Sequence, residues 1–443
     1  MPQKKILIAV VQFPGTNCEL EAVRACQRNG MKAELFRWND KRTFAKFDGV
    51  ILAGGFSYED RGRSGLIASR DSILEKIFIL AKRGGVVLGI CNGAQILVES
   101  GLVPNFELGK STLALTHNRR VQNGKVVGTG FFNTWTHIKP CAKKPNAFNQ
   151  FSDQVLRVPI AHAEGRFFSE DTNLWSKIID HEQNAFVYCN KLGEILPEFP
   201  INPNGSVLNL AGVTNPMGNV MALMPHPERT IIGNPIFRSI RKWIEEKTRK
   251  PTLSFSTRRF GIKAQRETLS AKIGAKPKAD VEFFVKLKIT DNEALSVGKA
   301  ANLKLVKFRW FKLNFVPSFF RNSNEKIIKI LEKIILSGEL LNTEKETVFV
   351  KFKGKFWRTS QSAKLISAKF FLPKNRILAC ERETSSDESH TTNLNHILAS
   401  SKISCLKSGT VWSSSDKKSS TKFNQAIHNN FFHHPASMQL INI

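Results

Sequence analysis

Apolar and polar residues follow two different periods in the first 250 residues of the chain. Short runs of consecutive apolar residues, which are typical of strands buried on both faces, alternate with segments whose apolar residues recur at helical spacing. The predicted strands are 5–12, 32–37, 49–53 and 85–90, and the predicted helices are 19–29, 68–83, one that begins at Asn92 and one that begins at Asn234. Strands that alternate with helices form βαβ units. The pattern therefore predicts an α/β domain with a mainly parallel sheet, covering residues 1–248.

The pattern changes after residue 248. Residues 249–279 are predicted to be a linker, and residues 280–372 a small α+β domain with the order β-α-β-β-α-β. Its predicted strands include 280–290, the longer run 305–316 and 346–352, and its predicted helices are 292–302 and 324–341. Residues 373–443 are rich in Ser, Thr, Asn and Lys without periodicity, and such a segment cannot bury enough apolar surface to offset the entropy of ordering it. We therefore expect 373–443 to be a disordered tail.

Length and composition exclude several classes of protein. The 443 residues are too many for one ordinary core, and an apolar fraction of 41% argues against a wholly disordered chain. The longest charge-free stretch, 199–227, is rich in Asn, Pro and Gly, so we expect no membrane helix. Seven cysteines form neither a C-x-x-C pair nor a metal-ligating spacing. This pattern disfavours a disulfide scaffold and a metal site, and it favours a reducing cytoplasm.

Positive charge is concentrated toward the end of the chain. Lys and Arg exceed Asp and Glu by 11 in residues 1–250 and by 18 in residues 251–443. A basic surplus is a feature of many nucleic-acid-binding proteins. Here the lysines are scattered, and no recognisable nucleic-acid-binding module accompanies them. We therefore expect the charge to serve solubility and nucleic acid not to be a partner.

The first candidate for chemistry is Cys91, which lies between a predicted buried strand and a predicted helix. Residues 89–93 have the pattern G-x-C-x-G, a variant of the nucleophile elbow. Glycines on both sides permit a sharp turn that presents the sulfur at the end of the strand, where the helix N-terminus favours the thiolate. The N–H of Asn92 would then be free to help hold an oxyanion. The alternative is that Cys91 is a small buried hydrophobic residue at a strand end.

The second candidate is the segment Pro-His-Pro-Glu-Arg at 225–229. Proline restricts its own φ and forces the preceding residue out of the helical region, so we predict an extended segment. In an extended chain residues two apart point the same way, which would place His226 beside Glu228. A carboxylate that orients an imidazole is part of a Cys-His-acid triad. The alternative is a plain surface turn.

The third candidate is the turn formed by Gly54, Gly55 and Phe56 at the end of the predicted strand 49–53. Paired glycines let the backbone approach a ligand closely. The N–H of Gly55 or of Phe56 would then be a second oxyanion donor beside Asn92. The alternative is a turn that merely ends the strand. Dinucleotide binding has little support, because no G-x-G-x-x-G follows the first strand.

Together these segments resemble the glutamine amidotransferase subunits of phosphoribosylformylglycinamidine synthases. The resemblance covers about residues 1–248, and its combination of motifs is specific to these subunits among class I amidotransferases. The matching stretches are FPGTNCE (13–19), GGFSYEDRGRSG (54–65), GICNGAQIL (89–97), GTGFFNTW (128–135), IAHAEGRF (160–167), NPNGS (202–206) and GVTNPMGNVMALMPHPER (212–229).

The resemblance implies a flavodoxin-like amidotransferase fold and a mechanism. It implies that Cys91, His226 and Glu228 form a catalytic triad that hydrolyses L-glutamine. The implied oxyanion and glutamine-binding positions are Gly54, Gly55, Phe56, Asn92 and Gln95. Ammonia would pass to a separate synthetase subunit that uses ATP and Mg²⁺, so we expect no cofactor in this chain.

Residues 280–353 resemble, more weakly, the small accessory subunit of the same synthase. We therefore expect two protein partners, the synthetase and an accessory subunit. The alternatives are another α/β cysteine hydrolase or amidotransferase, and an inactive domain whose basic tail binds nucleic acid. His162 and Glu164 match a motif of the family without a role that the sequence reveals, and we expect them in a structural loop or facing a partner. We expect Cys18 to be structural.

Overall fold

The chain divides into two compact units, Met1–Leu269 and Ser270–Ile443, in a computed structural model. The predicted linker lies largely outside the described residues, so its boundaries stay predictions. The structure describes residues 5–106, 110–151, 153–249, 273–274, 279–320, 323–343, 345–360, 364–370, 372–373, 375–381, 391, 393–395, 398, 403–414, 420–428, 431–434 and 438–441.

The first unit is built from thirteen described strands and five described helices. In chain order they are β1 (Leu7–Gln12), α1 (Glu19–Arg28), β2 (Lys32–Arg37), β3 (Gly49–Leu52), α2 (Ile73–Lys82), β4 (Val86–Ile90), α3 (Asn92–Glu99), β5 (Ala114–Thr116), β6 (Arg119–Gln122), β7 (Lys125–Thr129), β8 (Phe132–Pro140), β9 (Leu156–His162), β10 (Arg166–Phe168), α4 (Thr172–Asp180), β11 (Phe186–Cys189), β12 (Leu210–Thr214), β13 (Val220–Leu223) and α5 (Asn234–Arg249). The predicted strands and helices of residues 5–100 all correspond to elements of this series.

Nine of these strands form one sheet in the order β2-β1-β3-β4-β13-β12-β11-β8-β9. The first five are parallel to one another, and the other four extend the sheet in antiparallel fashion. The order of the parallel strands is that of a flavodoxin-like doubly wound sheet. The predicted α/β class is therefore confirmed. The antiparallel extension makes the sheet mixed, a feature that the apolar runs did not predict.

Burial explains why the parallel strands are continuous apolar runs. Strands β3, β4 and β13 are buried at every position, because helices cover a parallel sheet on both faces. Helix α3 packs on β4 and β13, while α1 packs on β1 and on α5. The carboxyl ends of the parallel strands meet at one edge of the sheet, where ligands bind in folds of this type.

The predicted helix 68–83 is broken in the structure. Ala68–Arg70 is a 3₁₀ turn, and α2 begins only at Ile73. The cause is Asp71, whose backbone is extended and whose carboxylate accepts a hydrogen bond from the N–H of Ile73 at 3.0 Å. Such a side-chain bond competes with the helical hydrogen bond of the backbone.

The second unit is a second nine-stranded sheet with helices. Its elements are β14 (Ile273–Gly274), β15 (Val281–Leu287), α6 (Asn292–Ala301), β16 (Leu305–Phe315), α7 (Pro317–Phe320), α8 (Asn324–Leu336), β17 (Glu346–Phe352), β18 (Lys355–Thr359), β19 (Leu365–Ser367), β20 (Asn375–Glu381), β21 (Ile403–Ser414), α9 (Ser420–His428) and β22 (Met438–Ile441). The strand order is β14-β22-β20-β21-β16-β15-β17-β18-β19.

The predicted order β-α-β-β-α-β is wrong for this unit. The stretch Leu305–Phe315 is one unbroken strand that pairs with β15 on one side and β21 on the other. Helices α7 and α8 follow it in succession, so the described order from β15 to β19 is β-α-β-α-α-β-β-β. The resemblance to an accessory subunit, which was based on the order of elements, stays a prediction.

Helix α8 covers one face of this second sheet. It buries Ile327, Leu331, Ile334 and Ile335 against a cluster that includes residues of β15. Each such side chain contributes about 1.5–3 kcal/mol when fully buried. No described helix of either unit combines the length and the apolar character that crossing a membrane would require.

The described part of 373–443 forms strands and a helix, whereas the composition predicted disorder. Strand β21 lies between β16 and β20 and pairs with β16 along its length. Val411 and Trp412 are 0% and 3% exposed, and α9 buries Phe423 and Ile427. The stability of a central strand comes from its neighbours more than from its own composition. A local sequence pattern therefore underestimates how much ordered structure this segment forms.

We predict that Val411→Asp, but not Lys407→Asp, unfolds the second sheet. Val411 packs in a buried cluster with Phe308 and Leu378, whereas Lys407 on the same strand is exposed. A buried unpaired carboxylate that costs about 3 kcal/mol would raise the rate of amide hydrogen exchange in β16 roughly 100-fold. Exchange measured by mass spectrometry checks this. Equal exchange in the two variants would mean that residues 403–414 do not belong to the sheet.

Candidate active site

Cys91 occupies a sharp turn between β4 and α3. Its backbone has φ 52° and ψ −106°, a region that residues with a side chain rarely adopt and that costs about 1–3 kcal/mol. Its N–H donates to the carbonyl of Leu223 at 2.8 Å, and its carbonyl accepts from the N–H of Gln95 at 3.1 Å. The neighbouring strand and the first turn of the helix thus hold the strained residue. This is the geometry of a nucleophile elbow.

The two glycines that flank Cys91 are required by close packing. A Cβ at Gly89 would lie 2.5 Å from the carbonyl oxygen of Gly93. A Cβ at Gly93 would lie 2.0 Å from the carbonyl oxygen of Leu52. Strand β3, the turn and helix α3 therefore approach one another more closely than any side chain permits.

His226 and Glu228 are joined by a hydrogen bond. The Nδ1 atom of His226 lies 2.6 Å from Oε1 of Glu228, and the two side chains are 2% and 0% exposed. The N–H of His226 donates to the carbonyl of Pro159 in β9 at 2.9 Å, which fixes the backbone next to the sheet.

The predicted extended conformation of this segment is wrong, although the predicted pairing of its side chains occurs. Pro227–Arg229 is a 3₁₀ turn, and His226, just before it, has the non-helical φ and ψ that the following proline demands. Proline is well suited to begin a helical turn, because its fixed φ suits the helix and it has no N–H to satisfy. Glu228 lies inside that turn, and its carboxylate contacts the imidazole of His226.

Cys91 and His226 approach each other above Gly54. A Cβ at Gly54 would lie 2.9 Å from Cε1 of His226 and 3.5 Å from Cβ of Cys91. Burial alone would lower the pKa of His226, but the charges of Glu228 and Cys91, followed by hydrogen bonds with the Cys18 and Cys91 side chains, raise the pKa well above its ordinary value of 6.5. The imidazole is therefore cationic at neutral pH and lies beside the sulfur. The structure brings together all three residues of the predicted triad.

The backbone N–H groups of the predicted oxyanion donors differ in the acceptors that they contact. The N–H of Phe56 donates to the carbonyl of Gly15 at 2.9 Å, so it is engaged within the chain, and the role of Phe56 toward an oxyanion or glutamine stays a prediction. The N–H of Gly55 and that of Asn92, the first residue of α3, donate to no acceptor among the described residues. Gly55 has φ +144°, and a Cβ there would lie 2.7 Å from the backbone of Thr16. Gly55 and Asn92 remain the predicted donors.

A buried amide network supports the turn at 54–60. The side chain of Asn92 accepts from the N–H of Ser57 at 3.0 Å and donates to Asp60 at 3.0 Å and to Gln95 at 2.9 Å. Gln95 in turn donates to the carbonyl of Glu164 at 2.6 Å. These bonds give Gln95 a positioning role, and its contact with glutamine stays a prediction.

His162 is the last residue of β9 and is buried beside the site, with 3% of its surface exposed. Its Nδ1 lies 3.2 Å from Oδ1 of Asn118. A Cβ at Gly165 would overlap the ring, so the glycine of the motif leaves room for the imidazole. Burial, with the nearby charge of His226, lowers the pKa of His162 to about 3. His162 is therefore a neutral neighbour of a cationic histidine.

Cys18 is the site residue that the sequence did not predict. It lies just before α1, is 1% exposed, and has its sulfur 2.9 Å from Nη2 of Arg229. A Cβ at Gly54 would lie 3.2 Å from Cys18 Sγ and 2.9 Å from Cε1 of His226, so the sulfur and the imidazole lie close together. Cys18 follows the first parallel strand, so its place at the carboxyl edge was the one signal that could have indicated it.

Residues 5–254 match the model of the CobB/CobQ-like glutamine amidotransferase domain. The chain belongs to this family. As a member of this amidotransferase family it is an enzyme, and the resemblance stated from its motifs is confirmed for the first unit.

Two curated relatives of this amidotransferase carry the name phosphoribosylformylglycinamidine synthase subunit PurQ. The one from Methanothrix thermoacetophila is 41% identical over 260 residues, which cover 54% of this chain and 98% of the relative. The one from Pyrococcus furiosus is 40% identical over 247 residues, with 54% and 99% covered. A solved structure, that of PurLQS from Thermotoga maritima, contains a chain of 32% identity with a TM-score of 0.42, covering 54% of this chain and 99% of that one.

We predict that Asp60→Asn removes a pH dependence of stability. Burial, followed by the charge of Glu164, raises the pKa of Asp60 from 3.8 to about 7. Between about pH 4 and 7 the folded amidotransferase therefore holds a proton that the unfolded chain has lost, and its stability falls as the pH rises through this window. The fall is at most about 1.4 kcal/mol per pH unit.

Calorimetric unfolding at pH 4, 5.5 and 8 measures this effect. The stability of Asp60→Asn relative to the unsubstituted protein should rise across that range. Glu59→Gln, which changes a neighbouring side chain that is 73% exposed, is the matched control and should not alter the pH profile. Parallel pH profiles of stability for Asp60→Asn and the unsubstituted protein would contradict the raised pKa of Asp60.

Proposed function

We propose that this chain is the glutaminase subunit of a phosphoribosylformylglycinamidine synthase in purine biosynthesis. The observation that carries the proposal is the buried His226–Glu228 pair, whose imidazole lies beside the strained Cys91 in a chain of the amidotransferase family. The similarity to relatives named PurQ along almost their whole length supports the choice of synthase.

In the proposed first step Cys91 is the nucleophile. Its thiolate attacks the side-chain amide carbon of glutamine, and the carbonyl oxygen becomes an oxyanion that the N–H groups of Gly55 and Asn92 hold. His226 then gives its proton to the departing nitrogen, and ammonia leaves. The product is a thioester between Cys91 and the glutamyl group.

In the proposed second step water releases glutamate. His226, now neutral, takes a proton from water as the water attacks the thioester carbon. The sulfur leaves as the thiolate, so the ion pair with the imidazolium is restored. Glu228 stabilises the cationic form of His226 in both steps and holds the ring in one orientation.

The proposal extends to partners that this chain does not contain. Ammonia would pass to a synthetase subunit, where ATP and Mg²⁺ activate the formylglycinamide ribonucleotide, and the chain itself would need no cofactor. An accessory subunit would complete the complex. A thiolate nucleophile suits a reducing compartment, and six described cysteines are free thiols. We therefore place the proposed reaction in the cytoplasm.

We predict that Cys91→Ala abolishes the use of glutamine but not of ammonia. Loss of the nucleophile should lower the glutamine-dependent rate of the complex with its synthetase by a factor on the order of 10³ or more. The rate with free ammonia should stay within about twofold, because the synthetase site is unaltered. The measurement is the formation of formylglycinamidine ribonucleotide from each nitrogen source.

Cys26→Ala is the matched control for the removal of a buried thiol. Cys26 is 0% exposed in α1 and belongs to the core of the first unit. The Cys26→Ala substitution should lower the free energy of unfolding. It should leave the ratio of the glutamine-dependent rate to the ammonia-dependent rate unchanged. An equal loss with glutamine and with ammonia in Cys91→Ala would reject the proposed role of this subunit.

A further inference from the structure

His162 is a buried titratable side chain that neither proposed step uses, although the end of β9 lies against both reacting residues. The sulfur of Cys91 is 3.7 Å from the carbonyl oxygen of Ala161, and the N–H of His226 donates to the carbonyl of Pro159 at 2.9 Å. Burial, followed by the charge of His226, lowers the pKa of His162. The two imidazoles therefore lie near each other in the buried part of the site.

The side chain of Asn118 determines which nitrogen of His162 holds a proton. Asn118 is 0% exposed, and its Nδ2 donates to the carbonyls of Gly130 at 3.0 Å and of His162 at 2.6 Å. Because carbonyls only accept, the orientation of this amide is fixed. Its Oδ1 accepts from the N–H of Gly165 at 3.0 Å and lies 3.2 Å from Nδ1 of His162. Nδ1 therefore carries the proton of the neutral ring, and Nε2 is a hydrogen-bond acceptor.

The backbone of Gly165 holds the ring of His162 in place. A Cβ at Gly165 would lie 2.0 Å from Cε1, 2.2 Å from Nδ1 and 2.7 Å from Nε2 of that ring. Any other residue at this position would push the imidazole away. Contacts with the glycine and with Asn118 thus fix both the place and the tautomer of the ring, as a group that positions a substrate requires.

Nε2 of His162 is buried and has no hydrogen-bond partner among the described residues. Buried polar atoms are normally paired. The ring stays neutral, because its pKa of about 3 lies far below physiological pH, so this nitrogen keeps its lone pair even beside the cationic His226. The unpaired acceptor is therefore suited to a ligand in the site that donates an N–H or an O–H.

The departing nitrogen of glutamine meets this requirement. In the proposed first step it takes a proton from His226 and keeps two N–H groups of its own. In the proposed second step the attacking water gives one proton to His226 and keeps one O–H. Since the same imidazole serves both steps, the nitrogen and the water occupy one position in turn. A single acceptor beside that position can orient each of them.

We propose that His162 positions first the leaving nitrogen and then the attacking water by accepting a hydrogen bond at Nε2. No proton moves to His162, since the C–N bond breaks with the proton that His226 supplies. The carbonyl oxygen of glutamine has no hydrogen to donate, so the acceptor also favours the orientation in which that oxygen faces Gly55 and Asn92. This role rests on the proposed function.

Two substitutions of His162 separate its two nitrogens. His162→Asn can keep a donor toward Asn118 but has no atom at the place of Nε2. His162→Gln loses that donor but is long enough to bring an amide oxygen to the place of Nε2. In the complex with the synthetase, we expect His162→Asn to lower kcat/KM for glutamine at least about tenfold and His162→Gln to retain most of it. A purely structural role predicts the reverse order.

The γ-methyl ester of L-glutamate shows whether the lost interaction is a hydrogen bond to the leaving group. Its departing oxygen has no hydrogen, so His162→Asn should change kcat/KM for this ester by no more than about threefold. Hydrolysis of the ester also shows that the site of the variant is folded. Release of glutamate measures both reactions.

Each outcome decides between the two readings of His162. An equal fall of kcat/KM with glutamine and with the ester, or a glutamine reaction that His162→Asn leaves unchanged, would overturn the positioning role. If the unsubstituted complex releases no glutamate from glutamine, the proposed function itself fails. Selective loss with glutamine in His162→Asn, with recovery in His162→Gln, supports the role of Nε2.

Discussion

The strained backbone of Cys91 is the constraint on which the arrangement of the site depends. With φ at 52° the residue turns directly from β4 into α3, and the cost of that conformation is offset by hydrogen bonds to β13 and to the first turn of the helix. Because β3 and β13 flank β4 in a parallel sheet, the chain leaves all three strands at the same edge. The loop after β3 brings Gly54, and the loop after β13 brings His226. A shift of the turn would therefore separate the sulfur from the loop that carries Gly54 and Gly55 and from the imidazole together.

A concentration of buried charge follows from this arrangement. A buried ion pair such as His226–Glu228 contributes little net stability, because desolvation consumes most of the attraction between the charges. The pair instead controls the protonation of His226, because the carboxylate of Glu228 and the nearby sulfurs raise the pKa of the imidazole. The same sheet edge holds His162 neutral, since burial and the charge of His226 lower the pKa of His162 to about 3. The site thus maintains two histidines in opposite charge states.

Sequence reasoning succeeded where the determining interactions are local. The apolar runs, the glycines around Cys91 and the proline after His226 each act within a few residues, and they predicted the parallel strands, the turn and the imidazole–carboxylate pair. Two local predictions were wrong, the unbroken helix 68–83 and the extended segment 225–229, and the remaining failures concern distant contacts. The place of Cys18 beside Arg229 depends on the register of two loops, and the engaged N–H of Phe56 depends on the carbonyl of Gly15. Strand β21 has a polar composition and is stabilised by neighbours that lie far away in the chain, so no local period could reveal it.

The most direct test of this account is the site of reaction with an electrophilic glutamine analogue. The full chain is incubated with 6-diazo-5-oxo-L-norleucine, digested, and mapped by mass spectrometry with and without excess glutamine. The account predicts one equivalent of label on Cys91, protection by glutamine, and no label on Cys18, which is buried and bonded to Arg229. Label spread over several cysteines, or label on Cys91 that glutamine does not prevent, would contradict the claim that the strained turn presents this sulfur to a bound glutamine.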